Sequence, residues 1–423
     1  MSKLRTVLFI FIIAIVITLI IVAVVLNFSK DTPSQSEENN NQESLANIEE
    51  ENVTNNSIED ENEPEDLPTI TNKAEIAKER SIYTDSDRKN VTVPAGYAII
   101  KDSPNVNDGL IISDIADDDI DNSKGGNQFV WIPVETPVLD VSNCKDETDI
   151  NDAIAESVEN NKYPMAIRLA DGNYQGVLYR FEPINENTAI KVNFIAYSKN
   201  ASEKEPANLA DDNSDSISGW TQNILQEEYN KLIRRVKNDK GFWVARYETS
   251  LDDKNNAQSK KNQKVATNIT WYDMYSIEKT LSTEKTTSHM IWGSQWDQIM
   301  IWFKDIKNNT GDKASRFYLI DSSNMGNYLD TVIKDEKGKD LKKAGEAFRF
   351  KTGELDTKVK QIYDLAGNAW EWTMEKNFTT LRTVRGGDCT YSGAVNPVTA
   401  RFSFRPSYNE EKLENIGSRM TIY

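Results

Sequence analysis

Ile362-Tyr363-Asp364-Leu365-Ala366-Gly367-Asn368-Ala369-Trp370-Glu371-Trp372-Thr373 is the stretch on which the fold turns. Gly367 marks a tight turn. The residues after it read as an aromatic strand, with Trp370 and Trp372 on one face because strand side chains alternate. Asp364 and Glu371 bracket the turn seven positions apart, with the carbonyls of Gly367 and Ala369 between them. Calcium gathers six to eight such oxygens, backbone ones included, at about 2.3–2.6 Å. The alternative is a turn that holds no metal.

Outward from this turn the chain reads as short strands with a few helices. Residues 91–100 give two short strands around Pro94 and Gly96, and 127–134 a strand ended by Pro133. Residues 241–248 form a strand that is bulky on both faces and therefore buried. Helical spacing appears in four places. These are 148–159 (Ile150, Ile154, Val158), the run with Leu225, Tyr229, Leu232 and Val236, a segment after Asn268 with Trp271, Met274 and Tyr275 inward, and 294–306. In the last, Ser294 and Asp297 resemble a capping box. Residues 199–218 and 252–263 read as loops, and 335–343 as a charged surface excursion. Strands and helices do not alternate regularly, which argues against a doubly wound parallel sheet and for an α+β fold. Nine tryptophans, mostly in these elements, imply an aromatic core.

The opening stretch closely resembles the signature of the formylglycine-generating enzyme family, the sulfatase-modifying factors. Arg385-Gly386-Gly387 resembles that family's Arg-Gly-Gly-Ser strand. Residues 241–248 resemble its "GFYIGRYE" strand, and 128–134 the "FVWIPV" strand of bacterial members. Trp271-Tyr272-Asp273 looks like a "W-x-D/E-A" helix start, and 289–297 is similar to "RLPTEAEWE". The resemblance covers residues 91–423, with a polar insertion near 140–215. It implies a C-type-lectin-like fold. It also implies a structural calcium site held by the Asp364 and Glu371 side chains and the Gly367 and Ala369 carbonyls. Asp364 stands where many members have asparagine, another oxygen ligand.

The family's enzymes convert a substrate cysteine to formylglycine with copper(I) held by two thiolates, and copper(I) is soft enough to require sulfur. Here only Cys389 follows the Arg-Gly-Gly strand, and the other cysteine, Cys144, is 245 residues upstream. Copper(I) is therefore not expected, and Cys389 is the lone candidate for catalysis. The two cysteines either pair in a disulfide or remain unrelated thiols. The end of the chain, residues 416–423, keeps the family's glycine and arginine (Gly417, Arg419) without the aromatic. Arg401 and Arg405 lie near a family "R-x-x-x-R" strand; they line a surface groove or pair with carboxylates. Asp388 and the residues to Asn396 are candidate ligand contacts, because lectin-type folds bind through loops on a stable base. A second acidic run (Asp117, Asp119, Asp121) matches the start of an EF-hand loop, but Asn122 replaces its glycine and Gln128 its glutamate. A solvated acidic loop fits better.

Composition narrows the rest. Acidic residues number 67 against 49 basic, a net charge of −18, and no basic patch is visible. A nucleic-acid partner is not expected. One histidine, His289, and two cysteines exclude a zinc finger, a His-rich metal centre and a disulfide framework. His289 reads as structural.

Residues 7–26 are uncharged, with Thr18 their only polar residue. At 1.5 Å per residue they span about 30 Å, a bilayer core. Lys3 and Arg5 precede them. No basic residue lies between Lys30 and Lys73, while 31–66 holds 13 acidic ones. This orients residues 1–6 to the cytoplasm and the remainder outside. A cleaved signal peptide would have a shorter apolar core and a small-x-small site, which Val22-Ala23-Val24-Val25 lacks. Residues 27–90 read as a disordered acidic linker. The expectation is a membrane-anchored extracellular protein that binds an envelope protein, peptide or glycan. The alternatives are a copper-dependent oxidoreductase and a structural surface component.

Overall fold

A computed structural model of the chain describes residues 66–423 apart from 121–124, 161, 169–173, 177, 183–190, 196–221, 305–318, 320, 336, 378–380 and 406–412. The apolar run 7–26, the acidic residues 31–65 and much of the polar insertion lie outside the described residues. No described helix is long and apolar enough to cross a membrane.

The fold is mixed α+β and mostly strand. The strands that carry it are β1 (Thr69–Ile70), β2 (Ser81–Thr84), β3 (Asn90–Val93), β4 (Ala98–Ile99), β5 (Ile111–Ser113), β6 (Gln128–Pro133), β7 (Gly241–Ala245), β8 (Ser288–Met290), β9 (Trp370–Asn377), β10 (Leu381–Arg385), β11 (Arg401–Phe404), β12 (Ile416–Ser418) and β13 (Met420–Ile422). The main described helices are α1 (Glu147–Glu159), α2 (Gln222–Asp239), α3 (Trp271–Glu278) and α4 (Gly293–Lys304).

The principal sheet is antiparallel throughout, in the order β8-β13-β7-β6-β5-β4. At its centre Gly241 lies opposite Pro133 and Ala245 opposite Phe129. Strand alternation sends the two faces into different cores. Ile111, Val130, Ile132, Phe242 and Val244 join one cluster, with the helices and the second sheet. Ile112, Phe129, Trp131, Trp243 and Ala245 join the other. The second sheet, β11-β10-β9-β12, is antiparallel except for the parallel pair β9–β12.

The segment before Val91 departs from the linker expectation. β1, β2 and β3 form a sheet, and Ile70, Tyr83, Val91 and Val93 cover the Trp131–Trp243 face. Few apolar residues are needed to cap a sheet that already carries two tryptophans. The Trp243 indole N–H donates to the Thr92 carbonyl at 2.8 Å, tying cap to sheet. Among the described residues the first strand therefore starts at Thr69.

All four helices lie where the spacing puts them. Leu225, Tyr229, Leu232 and Val236 of α2 are buried, as are Trp296, Ile299 and Phe303 of α4. Thr270 caps α3 by accepting from the Asp273 N–H at 3.1 Å. At α4 the expected Ser294–Asp297 box does not form. The Gln295 side chain takes the Trp292 N–H, the Tyr229 hydroxyl donates to Ser294, and Asp297 turns to an arginine pair. Within 252–263, Ala257–Gln258 pairs with Ser250–Leu251. The 335–343 excursion is part of a hairpin pinned by buried Lys342, which donates to the carbonyls of Tyr328 and Thr331.

Candidate functional site

The quoted turn is built on left-handed backbone at Asp364, Gly367 and Asn368, with φ of 54°, 72° and 63°. At Gly367 a Cβ would come 2.7 Å from the Asn327 carbonyl oxygen, so glycine is required there. Asn368 is the organiser that sequence reasoning passed over. Its amide donates to Glu248 Oε2 at 2.7 Å, and its oxygen accepts from Asn327 Nδ2 at 3.0 Å and the Phe350 N–H at 2.9 Å.

Asp364 and Glu371 are both buried, and both carboxylates are engaged by the protein. Asp364 accepts from the Gly353 N–H at 2.7 Å and the Thr357 hydroxyl at 2.6 Å. Glu371 accepts from Arg419 on both oxygens, at 2.7 and 2.9 Å. Arg419 also donates to the carbonyls of Ala245 and Tyr363, at 3.0 and 2.9 Å. Arg419 thus joins the principal sheet, the turn and β9. Glu248 faces this group, and its Oε1 is buried with no hydrogen-bond partner among the described residues. Burial, then Asp364 and Glu371, hold the Glu248 carboxyl well above the usual carboxylate range. Burial also pushes Glu278 up to about 8, against the Thr249 hydrogen bond that favours ionisation.

This donor set does not fit the calcium ion that the resemblance implies. A guanidinium occupies both oxygens of Glu371, and its positive charge opposes a cation beside it. Asp364 has two protein donors, so neither carboxylate is offered free to a cation that gathers six to eight oxygens. Among the described residues no three His, Cys, Asp or Glu side chains stand close enough to hold a metal. In the second acidic run, Asp118, passed over in the EF-hand match, points inward and accepts from Ser113 and Gln128 at 2.7 and 2.9 Å. Asp121 and Asn122 lie outside the described residues.

A second charged network lies between α4 and the second sheet. Arg385 and Arg401 both reach Asp297 and Glu375; the Arg385–Asp297 and Arg401–Glu375 contacts are 2.9 and 3.2 Å. Arg401 is thereby a carboxylate partner. Arg405 is exposed and is not among the residues lining the groove described next. His289 is buried. Its Nδ1 donates to the Met290 carbonyl at 2.6 Å and burial brings its pKa down to about 4, so it is neutral and structural.

The open concavity lies beyond the Arg-Gly-Gly strand. A Cβ on Gly387 would meet the Asn396 carbonyl oxygen at 2.3 Å. The tight passage delivers Cys389 and Thr390 to a groove of ≈ 420 Å³. The run from Ala347 to Lys351, together with Lys264, Val265, Glu414 and Asn415, completes its lining. Asp388 stands behind it, accepting from the Thr390 N–H and hydroxyl at 2.9 and 2.7 Å. Cys389 and Cys144 are both free thiols, so no disulfide joins them. Burial, then Asp388, push the Cys389 thiol up to about 11. At neutral pH it is a thiol, a poor nucleophile and a poor copper ligand. The groove was invisible in the sequence because residues 346–351 have no periodicity to read.

No protein-family profile matches the chain, and no curated protein does. Among solved structures it is similar to Treponema denticola variable protein 1, with 11% identity over 43% of this chain and 84% of that one, at a TM-score of 0.29. It is similar to CarF at 12% identity, covering 43% and 86%, with a TM-score of 0.28. PvdO from Pseudomonas aeruginosa follows at 14%, 44% and 81%, and 0.27. Scores this low carry no conclusion about fold or function.

Proposed function

We propose that the chain is a single-pass surface protein. In this reading residues 7–26 anchor it, an acidic linker follows, and the distal part is a domain of the formylglycine-generating enzyme type with a C-type-lectin-like fold. The domain binds a ligand at the cell envelope, and the groove at Cys389 and Thr390 is where it does so. The observation that carries this reading is the pairing of an open, charged groove with a lone thiol whose pKa stands near 11. The groove is equipped to hold something, and the thiol is not equipped for two-thiolate chemistry.

The test is a photo-crosslinking side chain in place of Phe348 on the groove, in intact cells, with exposed Val332 as control position. A discrete adduct is expected at 348 alone. Thr390→Trp, which fills the groove, is expected to remove it, and Cys389→Ser to leave it unchanged. Equal labelling at both positions overturns the reading. Loss of the adduct with Cys389→Ser moves thiol chemistry to first place.

A further inference from the structure

One side of the groove is the run from Ala347 to Lys351, which belongs to no strand of either sheet. Phe350 donates its N–H to Asn368 Oδ1 at 2.9 Å, and its carbonyl accepts from Asn368 Nδ2 at 3.3 Å. A single side-chain amide does here what a residue of an antiparallel neighbour would do, and it holds Phe350 extended. The Phe348 carbonyl points the same way, accepting from Asn327 Nδ2 at 2.8 Å. In extended chain the backbone groups of successive residues face opposite sides, so those of Arg349 face away from Asn327 and Asn368. Among the described residues the Arg349 N–H and carbonyl make no hydrogen bond.

The surroundings of that run are cationic. Lys264 and Lys351 line the groove without an ion-pair partner among the described residues. The Arg349 guanidinium is held by the Glu414 carbonyl and Asn415 Oδ1, neither of which neutralises it. Glu414 supplies the lone carboxylate of the lining. This stands out in a chain of net charge −18. The Phe348 and Phe350 rings, 5.0 Å apart, add an apolar shelf.

We infer that the groove takes an extended acidic peptide, paired through its backbone to Arg349 and setting its carboxylates against Lys264 and Lys351. This rests on the groove being the ligand site and names the class of ligand. A glycan has no alternating N–H and C=O to match the open backbone of Arg349. A peptide does, and in strand addition the backbone supplies affinity while side chains supply choice. Exposed ion pairs are individually weak and screened by salt, so the binding is modest and salt-sensitive.

The test uses the full chain in mild detergent and three labelled peptides of equal length. One alternates Glu and Val, one alternates Lys and Val, and one is the Glu-Val peptide with alternate amides N-methylated. Polygalacturonate is the anionic glycan control. The Glu-Val peptide is expected to bind about tenfold or more tighter than the other two. Its affinity falls as salt rises. The double variant Lys264→Glu/Lys351→Glu loses about tenfold with an unchanged melting temperature. Equal binding of the N-methylated peptide, equal binding by the double variant, or preference for polygalacturonate overturns the inference. If no peptide binds while Thr390→Trp still abolishes the position-348 adduct, this inference fails and the groove remains the ligand site. If Thr390→Trp changes nothing, both fail.

Discussion

Arg419 touches three parts of the molecule at once, through Glu371, the Ala245 carbonyl and the Tyr363 carbonyl. Removing one partner of a buried pair leaves an uncompensated charge, at a cost of about 3–5 kcal/mol. Glu371→Ala is therefore expected to lower the melting temperature by several degrees. The drop should be the same in calcium and in chelator, and the wild type should melt alike in both. A wild-type melt raised by calcium would show that Arg419 gives way to the metal. Glu278 makes a separate statement. The folded chain holds its proton up to about pH 8, whereas a free glutamate releases it near 4.5. The folded state thus binds the proton more tightly, so stability is full below about pH 4.5 and declines as pH rises through about 8. Glu278→Gln is expected to flatten this decline, melting higher than wild type at pH 8 and close to it at pH 5. Parallel melting curves across that range would refute the buried proton.

At the scale of elements, the small β1–β3 sheet is the part with most to test. Val91 is fully buried against the Trp131–Trp243 face. Val91→Asp places a carboxylate there with no partner, and a loss of several kcal/mol is expected in urea unfolding. An unchanged midpoint would refute this packing. β1 and β2 were not legible in the sequence, whereas β3, α2 and α4 were. Helix spacing in α2 is carried by Leu225, Tyr229, Leu232 and Val236, and a buried stripe leaves a periodic trace. β1 and β2 offer only Ile70 and Tyr83 to the core, too few to show a period. The turn at Gly367 was readable because its residue types are specific. The ion pair that engages Glu371 was not readable there, because Arg419 comes 48 positions later. The open backbone at Arg349 was out of reach because Asn368 defines it through tertiary contact.

On the whole molecule, charge is partitioned along the chain. Residues 31–66 hold 13 carboxylates and no basic side chain, and the first strand starts at Thr69. On intact cells a glutamate-specific protease is expected to cut before β1 and release one fragment containing β1 to β13. Trypsin should do so poorly, since no lysine or arginine lies between Lys30 and Lys73. Full protection from both would reverse the proposed orientation.

β12 and β13 are separated by Arg419 alone, yet one completes the second sheet and the other stands between β8 and β7 in the principal sheet. During synthesis this segment follows every strand it must join. At about 5–20 residues per second, the ribosome needs roughly 15–65 s to go from β3 to β12. Once made, β7 and β8 lack their common neighbour until β13 follows, and Glu371 lacks its counter-ion until Arg419 does. The growing polypeptide must be sheltered until then. The timetable of translation, and of export if the chain is exported, thereby sets the earliest moment at which either sheet can close.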